Sequence, residues 1–156
     1  MENMTYTDSS GKTYDQALKK QVNVDHVNGG EETNPAWTSE ISNEDFKQAL
    51  KASLKSQGLF SDNGKYLLSA HLVKVDQPMF GLDFTVTTHI EYQLTNKETN
   101  EVVFKELVVT PYTATMGDAF MGIERLRLAN EGSGKKNIKN LLSELTKIDL
   151  KDIALN

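Results

Sequence analysis

Alternating hydrophobic and polar positions in the middle of the chain give its strongest strand signal. Between Phe84 and Leu94 one side of the pattern holds Phe84, Val86, Thr88, Ile90, Tyr92 and Leu94. The intervening residues are polar, which is typical of an antiparallel strand with one buried face and one wet face. Residues 21–27, 66–75 and 102–110 are predicted as three further strands. The polar turn 96–100 makes the last two strands a hairpin, and Pro111 is expected to end the final one.

The segment from Ser42 to Leu59 carries every local signal of a helix. Ser42 is a good N-cap, and Asp45 stands three residues later as in a capping box. Gly58 can adopt the positive φ of a helix end, and Leu59 can fold back on the last turn. One face of this helix is apolar, with Phe46, Ala49, Leu50 and Leu54.

A second, longer helix is predicted from about Asp118 to Lys147. Its later half has an apolar stripe of Ile138, Leu141, Leu142, Leu145 and Ile148. Gly132 and Gly134 each cost about 1 kcal/mol relative to alanine in its middle. Either the helix breaks there, or the small residues let it lie close to the sheet. We favour a continuous or kinked helix.

These elements predict an α+β fold in the order β-α-β-β-β-α. Two helices with apolar stripes would cover one face of a mostly antiparallel four-stranded sheet, as a two-layer sandwich. We assign residues 21–150 to this single domain and expect residues 1–20 to be a flexible N-terminal arm, either a tether or a loosely docked segment. Pro35 and Trp37 are expected to pin the loop after the first strand to the body.

Composition removes several classes of function. The chain has no cysteine, which excludes disulfides, zinc–thiolate sites, iron–sulfur clusters and cysteine nucleophiles. A net charge of −5 argues against broad binding to nucleic acid or an anionic membrane, and leaves room for a local basic patch. No apolar run approaches the roughly 20 residues that span a bilayer.

Two segments resemble the end of a phosphate-binding loop, and neither matches the complete motif. Gly11-Lys12-Thr13 has Tyr6 where the motif needs glycine. Gly134-Lys135-Lys136 has Ala129 at that place and lacks the Ser or Thr that holds Mg²⁺. Coincidence is the favoured interpretation of each.

Histidines give no local sign of catalysis or metal binding. His26, His71 and His89 fall in three different predicted strands, and no G-x-S-x-G nucleophile elbow occurs. We therefore expect no catalytic residue, no cofactor and no metal, apart from a site assembled from distant residues. Lys47, Lys51 and Lys55 form a row that we interpret as the solvated side of the first helix rather than an anion-binding surface.

Two predicted loops have unusual apolar content and are the candidate partner-binding surface. One is Pro78–Leu82, and the other runs from Tyr112 to Met121. Exposed methionine and aromatic side chains on loops can mark a binding surface, and they can equally fold down as a lid on the core. The candidate partner-binding residues are Met79, Phe80, Tyr112, Met116, Phe120 and Met121.

Several short segments together resemble small lipoproteins of the Gram-negative envelope, including transport-auxiliary types. These segments are Phe46–Leu50, Gly58–Phe60, Tyr66–Ala70, Asp83–Val86, Gly122–Arg127, Asn137–Ile138 and Leu141–Leu142. The resemblance covers roughly residues 40–147 and rests on structural motifs. It implies a periplasmic domain tethered to a membrane by a lipidated N-terminal cysteine, and this sequence has neither a signal segment nor that cysteine.

The function expected from the sequence is a non-enzymatic envelope domain that binds a protein or lipid-transport partner. Nucleic acid is not an expected partner, and membrane contact is expected only through a lipid tether absent from this chain. The alternative is a small-ligand-binding domain, or an enzyme with a site built from distant residues. A cytoplasmic location is the alternative to the periplasm.

Overall fold

A four-stranded sheet is covered on one face by two helices. The computed structural model describes residues 2–31, 39–78 and 80–150, so Pro35 and Trp37 lie outside the described residues. Its main elements are strands β1 (Val22–Asn28), β2 (Tyr66–Asp76), β3 (Phe84–Asn96) and β4 (Val102–Ala114), and helices α1 (Asn43–Ser56) and α2 (Gly122–Leu145). The sheet order is β1-β2-β3-β4. The predicted α+β class and the order β-α-β-β-β-α are confirmed.

The sheet is mixed, with one parallel pair. β1 and β2 run parallel, whereas β2–β3 and β3–β4 are antiparallel. Because α1 carries the chain back across the sheet between β1 and β2, the second strand enters in the same direction as the first. The strands joined by short loops, in contrast, reverse direction.

Helix α1 forms as its local signals predict. The Ser42 hydroxyl accepts a hydrogen bond from the Asp45 N–H, at 3.1 Å. Gly58 has φ +73°, and the Leu59 N–H reaches back to the Leu54 carbonyl at 3.0 Å. This is the Schellman arrangement, and Leu59 is fully buried beyond it.

Strand β4 is longer than predicted, because Pro111 does not end it. Pro111 lies opposite Thr87 within the β3–β4 ladder, and the strand continues to Ala114. β4 is at the edge of the sheet. An edge strand can hold a proline whose missing N–H would have faced solvent.

Helix α2 begins later than predicted and is continuous through both glycines. The Asp118 carboxylate accepts hydrogen bonds from the N–H and hydroxyl of Thr115, at 2.7 and 3.1 Å, in a turn that precedes the helix. A Cβ at Gly132 would lie 2.3 Å from the Tyr112 ring, and one at Gly134 would lie 2.5 Å from the Met4 sulfur. The small residues therefore permit close approach, as one of the two alternatives predicts.

The segment predicted as a flexible arm packs against the helices in its described part. Met4 and Leu18 are fully buried, and Tyr14 is nearly so. The Tyr6 N–H donates to the Ser53 hydroxyl of α1 at 2.9 Å. Burial raises the pKa of Tyr14 to about 12. Three isolated apolar residues without helical or strand spacing gave no periodic signal of this packing.

A layer of buried polar side chains fixes α2 on the sheet. The Ser133 hydroxyl donates to the Thr110 carbonyl at 2.7 Å and lies 2.9 Å from the Thr88 hydroxyl. Asn137 donates to the Val108 carbonyl at 2.9 Å and to the Thr88 hydroxyl at 3.1 Å. We call Thr88, Thr110, Ser133 and Asn137, with Tyr92, the polar layer.

Tyr92 completes the polar layer on the side of the larger core. Its hydroxyl donates to the Asn137 side-chain oxygen at 2.7 Å, and its ring is fully buried. Burial raises the pKa of Tyr92 well above its ordinary value. Because every donor and acceptor named here has a partner, the layer satisfies the requirement that buried polar groups be hydrogen-bonded.

The polar layer divides the apolar interior into two clusters. The larger includes Ile90, Ile138 and Leu142 and extends to α1 and β1. The smaller contains Phe84, Val86, Ala114 and Ala129. Along β3 the order is the small cluster, then Thr88, then the large cluster. The two parts of the core therefore contact different stretches of α2, and Val75 packs against both.

Replacing Asn137 with alanine should lower the free energy of unfolding by about 2–4 kcal/mol, since it leaves the Tyr92 hydroxyl and the Val108 carbonyl without a partner. Tyr92→Phe should cost less, and the double variant should cost less than the sum of the two. Urea unfolding measures all three variants. Ser143→Ala on the same helix is the control and should change stability by no more than about 0.5 kcal/mol. Additive losses would contradict a direct Tyr92–Asn137 contact.

Candidate functional site

Two apolar loops lie side by side at one end of the sheet. The first joins β2 to β3, and the second joins β4 to α2. Phe84, where the first loop ends, pairs with Ala114, where the second begins, so both loops leave the sheet at the same end. Their most exposed large apolar side chains are Phe80 (87%), Phe120 (82%), Leu82 (71%) and Met121 (65%). We call these four residues the tip.

Arg125 holds the two tip loops together from beneath. Its Nη1 donates to the carbonyls of Ala119 and Phe120, at 3.1 and 3.0 Å. Its Nη2 donates to the Gly81 carbonyl of the other loop at 3.5 Å. The guanidinium also stacks on the Phe84 ring, 4.6 Å from its centroid. One side chain of α2 thus fixes the backbone of both loops, and we call this arrangement the clasp.

The Arg125 side chain is held almost entirely by backbone carbonyls and an aromatic ring. It is 6% exposed, and its Nε has no hydrogen-bond partner among the described residues. Burying a charge is costly unless it is compensated, and here the carbonyl dipoles of the loops and the Phe84 ring provide that compensation. The clasp therefore depends on the loops staying in this conformation, and the loops depend on the clasp.

The structure describes five of the six predicted binding residues and places them in three different positions. Phe80, Phe120 and Met121 come together at the tip, where Leu82 joins them. Met116 is in the second loop and 39% exposed. Tyr112 lies within β4, on the helix side, against Gly132. Met79 lies outside the described residues. The alternative of a lid folded onto the core does not describe the tip, whose side chains are exposed to solvent; partner binding by these residues stays a prediction.

Arg125 is the residue of this site that the sequence interpretation missed. It lies four residues before Ala129 and eight before Ser133, on the buried face of α2. The signal available in the sequence was a positively charged residue on a helix face that otherwise holds apolar and small residues. Its partners are backbone carbonyls, which no side-chain pattern predicts, and one of them, Gly81, lies 44 residues away.

The three histidines have separate polar partners. His71 Nδ1 contacts the Asn28 side chain, and His26 Nδ1 lies 3.1 Å from the Asp25 carboxylate. His89 Nε2 lies 3.0 Å from the Asp76 carboxylate. Hydrogen bonds from Lys74 and His89 hold the pKa of Asp76 below its usual value. Within the described part of the chain, no group of three potential metal ligands comes together.

A polar cavity of about 490 Å³ lies at the end of β2, near the start of α1. Glu31, Glu40, Asp76 and Gln77 contribute to its lining. Burial and the nearby Glu31 carboxylate raise the pKa of Glu40, and the hydrogen bond from Gln77 opposes that rise. Gln77 donates to the Glu40 carboxylate at 3.2 Å and to the Ser39 carbonyl at 3.0 Å on this side of the cavity.

Solved structures of other bacterial proteins share this fold. Protein XCC0632 from Xanthomonas campestris, described with the family DUF330, superposes with a TM-score of 0.64 at 10% identity, over 96% of this chain and 99% of that one. A Caulobacter crescentus CB15 protein with a provisional lipoprotein name has a TM-score of 0.55 at 11% identity, over 83% and 90% of the two chains. A minor lipoprotein from Acinetobacter baumannii has a TM-score of 0.56 at 7% identity, over 83% and 94%.

These likenesses show the fold, and they confirm at that level the resemblance to small Gram-negative envelope lipoproteins. No family model matches the sequence, and no curated protein matches it. Among the helices of residues 2–31, 39–78 and 80–150, none has both the length and the hydropathy needed to cross a bilayer.

Arg125→Met should loosen the tip without loosening the main core, because it removes three charge-assisted hydrogen bonds to the loops. Hydrogen exchange of the amides in residues 80–84 and 115–121 should become about tenfold faster or more, as expected for losing about 2 kcal/mol of local stability. Amides of residues 66–72 should keep their protection, since the polar layer separates the two clusters. Arg127→Met is the matched control, because Arg127 is part-exposed and pairs with Glu124 and Glu131 instead of the loops. Uniform acceleration throughout the sheet would contradict a local clasp.

Proposed function

We propose that this chain is a non-catalytic domain of an envelope lipoprotein, and that its tip binds a protein partner. The observation that carries the proposal is the tip itself: four large apolar side chains, each at least 65% exposed, on two loops fixed by one buried arginine. Apolar patches held in place on soluble domains commonly mark interaction sites. A preordered patch also binds with a smaller loss of conformational entropy.

The charges around the tip favour a protein over a lipid surface as its partner. Asp83 and Asp118 lie one and two residues from Leu82 and Phe120 and form no salt bridge among the described residues, and the buried Arg125 is turned to the loop carbonyls. An acidic rim repels the anionic headgroups of a bacterial membrane. An apolar centre with a charged rim is, in contrast, the usual anatomy of a protein interface.

The envelope location is supported by the lipoproteins that share the fold. The Caulobacter and Acinetobacter neighbours both bear lipoprotein names. We infer a periplasmic domain tethered by a lipidated N-terminal cysteine outside this chain, with a component of a lipid-transport system as its partner. Fractionation of cells that express the native gene tests the location: the proposal expects the protein with the membranes, released by detergent. Recovery in the cytosol would contradict it.

A small-ligand-binding domain is the second candidate, and the polar cavity near Glu40 is the observation that favours it. It is large enough for a small metabolite. A metabolite screen by thermal shift separates the two candidates. A specific compound that raises the melting temperature, and loses this effect in Gln77→Ala, would favour the ligand-binding alternative.

Replacing Phe80 and Phe120 with serine should abolish partner capture and leave the fold intact. Loss of two aromatic anchors from an interface centre typically weakens binding by well over tenfold. Chemical crosslinking in the native cell envelope, followed by affinity recovery, measures the yield of any partner adduct. Both side chains are more than 80% exposed in the free chain, so the melting temperature should stay within a few degrees of the parent.

Leu107→Ser with Val109→Ser is the matched control for this experiment. These two β4 side chains are 52% and 48% exposed, on the uncovered face of the sheet. The control removes a similar number of exposed apolar groups away from the tip. An adduct that both double variants retain, or both lose, would count against the tip as the binding surface.

A further inference from the structure

A groove lined by lysines and tyrosines runs along the exposed side of α2, from the second tip loop to a basic end farther along the helix. Tyr6, Tyr112, Lys135, Lys136 and Lys139 line its basic end, a cavity of about 290 Å³. A cavity of about 310 Å³ continues it past Tyr112, Ala114 and Leu128 to Asp118, in the second tip loop. We call this continuous feature the basic groove.

Close packing of β4 against Gly132 creates the floor of the basic groove. The Tyr112 ring occupies the space in which a side chain at position 132 would lie, 2.3 Å from an ideal Cβ. The ring therefore lies against the backbone of α2 while 40% of Tyr112 stays exposed. The result is an aromatic surface directly beside the row of lysines.

The lysines of the groove, Lys135, Lys136 and Lys139, are exposed and form no salt bridge within the described residues. Lys135 and Lys139 are one turn apart, a spacing at which like charges destabilise a helix by a few tenths of a kcal/mol. Lys12 adds a fourth cation, 5.0 Å from the centre of the Tyr6 ring.

The acids near the groove already have partners. Asp8 accepts a hydrogen bond from the Ser10 N–H, which holds the pKa of Asp8 below its usual value, and the more distant Lys12 and Lys139 charges act in the same direction. Glu131 is bound by Arg127 at 2.6 Å and by Asn3 at 3.2 Å. Asp118 is bound by Thr115. A hydrogen bond does not cancel the charge of a carboxylate, but Lys12, Lys135, Lys136 and Lys139 outnumber Asp8 and Asp118, so a local excess of positive charge remains in a chain of net charge −5.

The chemistry of the groove excludes a nucleotide loop. Gly134, Lys135 and Lys136 lie in the middle of α2, so their backbone N–H groups bond within the helix and cannot cradle a phosphate. What remains is a set of flexible ammonium groups above an aromatic and aliphatic floor. Ammonium groups bind phosphate as point charges, and the floor suits an apolar chain attached to that phosphate.

The N-terminal segment runs beside the same groove. Asn3 and Tyr6 line it, and Met4 is buried against Gly134. A tether attached before this segment, as the proposed function has it, would bring the groove close to the membrane surface. Each lysine near an anionic membrane contributes about 1 kcal/mol of attraction.

We propose that the basic groove binds the phosphate headgroup of anionic phospholipids in the membrane that anchors the protein. This inference rests on the envelope location of the proposed function, and it is independent of the partner at the tip. Lys135, Lys136 and Lys139 hold the phosphate, and Tyr112 and Leu128 contact the adjoining glycerol and first part of the acyl chain.

Vesicle co-sedimentation of the purified chain tests the proposal. The probe is a phosphatidylcholine vesicle containing one quarter phosphatidylglycerol, against pure phosphatidylcholine. The parent should bind the anionic vesicles, and raised salt should weaken that binding. K135Q/K136Q/K139Q should bind about a hundredfold more weakly, and K135R/K136R/K139R should bind like the parent. Circular dichroism melting checks that each variant is folded.

K47Q/K51Q/K55Q on α1 is the matched control, because it removes the same charge from a partly exposed face of the other helix. It should leave vesicle binding unchanged. Equal loss in both glutamine triples would show a general charge effect and overturn the proposal, as would equal binding to neutral vesicles. Displacement of the parent by millimolar inorganic phosphate alone would also overturn it, because the ligand would then be a free anion.

The tip variant F80S/F120S should bind vesicles like the parent, so failure at the tip and failure at the groove are distinguishable.

Discussion

The structure depends on the hydrogen-bonded layer that joins α2 to the centre of the sheet. Ser133 and Asn137 are one turn apart on the helix, and they meet Thr88 and Thr110, which pair directly across β3 and β4. Apolar packing alone tolerates some sliding of a helix over a sheet, but a buried polar group needs its own partner. Moving α2 by one turn would leave several of these donors and acceptors unpaired. The polar layer therefore selects one position for the helix.

That single position determines what α2 presents at each end. Two turns before Ser133, Arg125 reaches the loop carbonyls and forms the clasp under the tip. One residue before Ser133, Gly132 meets the Tyr112 ring. The polar layer also separates the small apolar cluster around Phe84 from the main core. The tip consequently rests on a small cluster of its own, whose stability can differ from that of the rest.

The sequence predicted elements whose signals are local and failed where distant residues decide the outcome. Helix α1 has its cap, its apolar face and its Gly58 terminus within one short segment, and β3 alternates without interruption. Pro111, in contrast, is tolerated only because β4 is an edge strand, and strand order cannot be inferred from periodicity. The packing of Met4 becomes possible only through Gly134, which lies near the other end of the chain.

In the candidate site, too, the sequence predicted the features that are local and missed those that depend on distant residues. Exposed Phe80, Phe120 and Met121 were identifiable from apolar residues in loops, because composition alone marks them. Their convergence depends on the β3–β4 register, which brings Phe84 opposite Ala114. The sequence pattern puts Tyr112 in the same loop, because it predicts that the strand ends at Pro111. Once β4 is extended to Ala114, Tyr112 belongs to the groove, and the two surfaces separate.

The separation of the tip and the basic groove has a functional consequence. Lys135 and Lys139 follow Arg125 along the same continuous helix, so at 1.5 Å per residue they lie roughly 15–21 Å along its axis from the clasp. The tip has an apolar surface with acidic neighbours, and the lysines at the basic end of the groove form no salt bridge among the described residues. An anionic membrane would attract the second surface and repel the rim of the first. A domain held by the groove would thus present the tip to a partner without masking it, and the rigid helix between them would fix the distance.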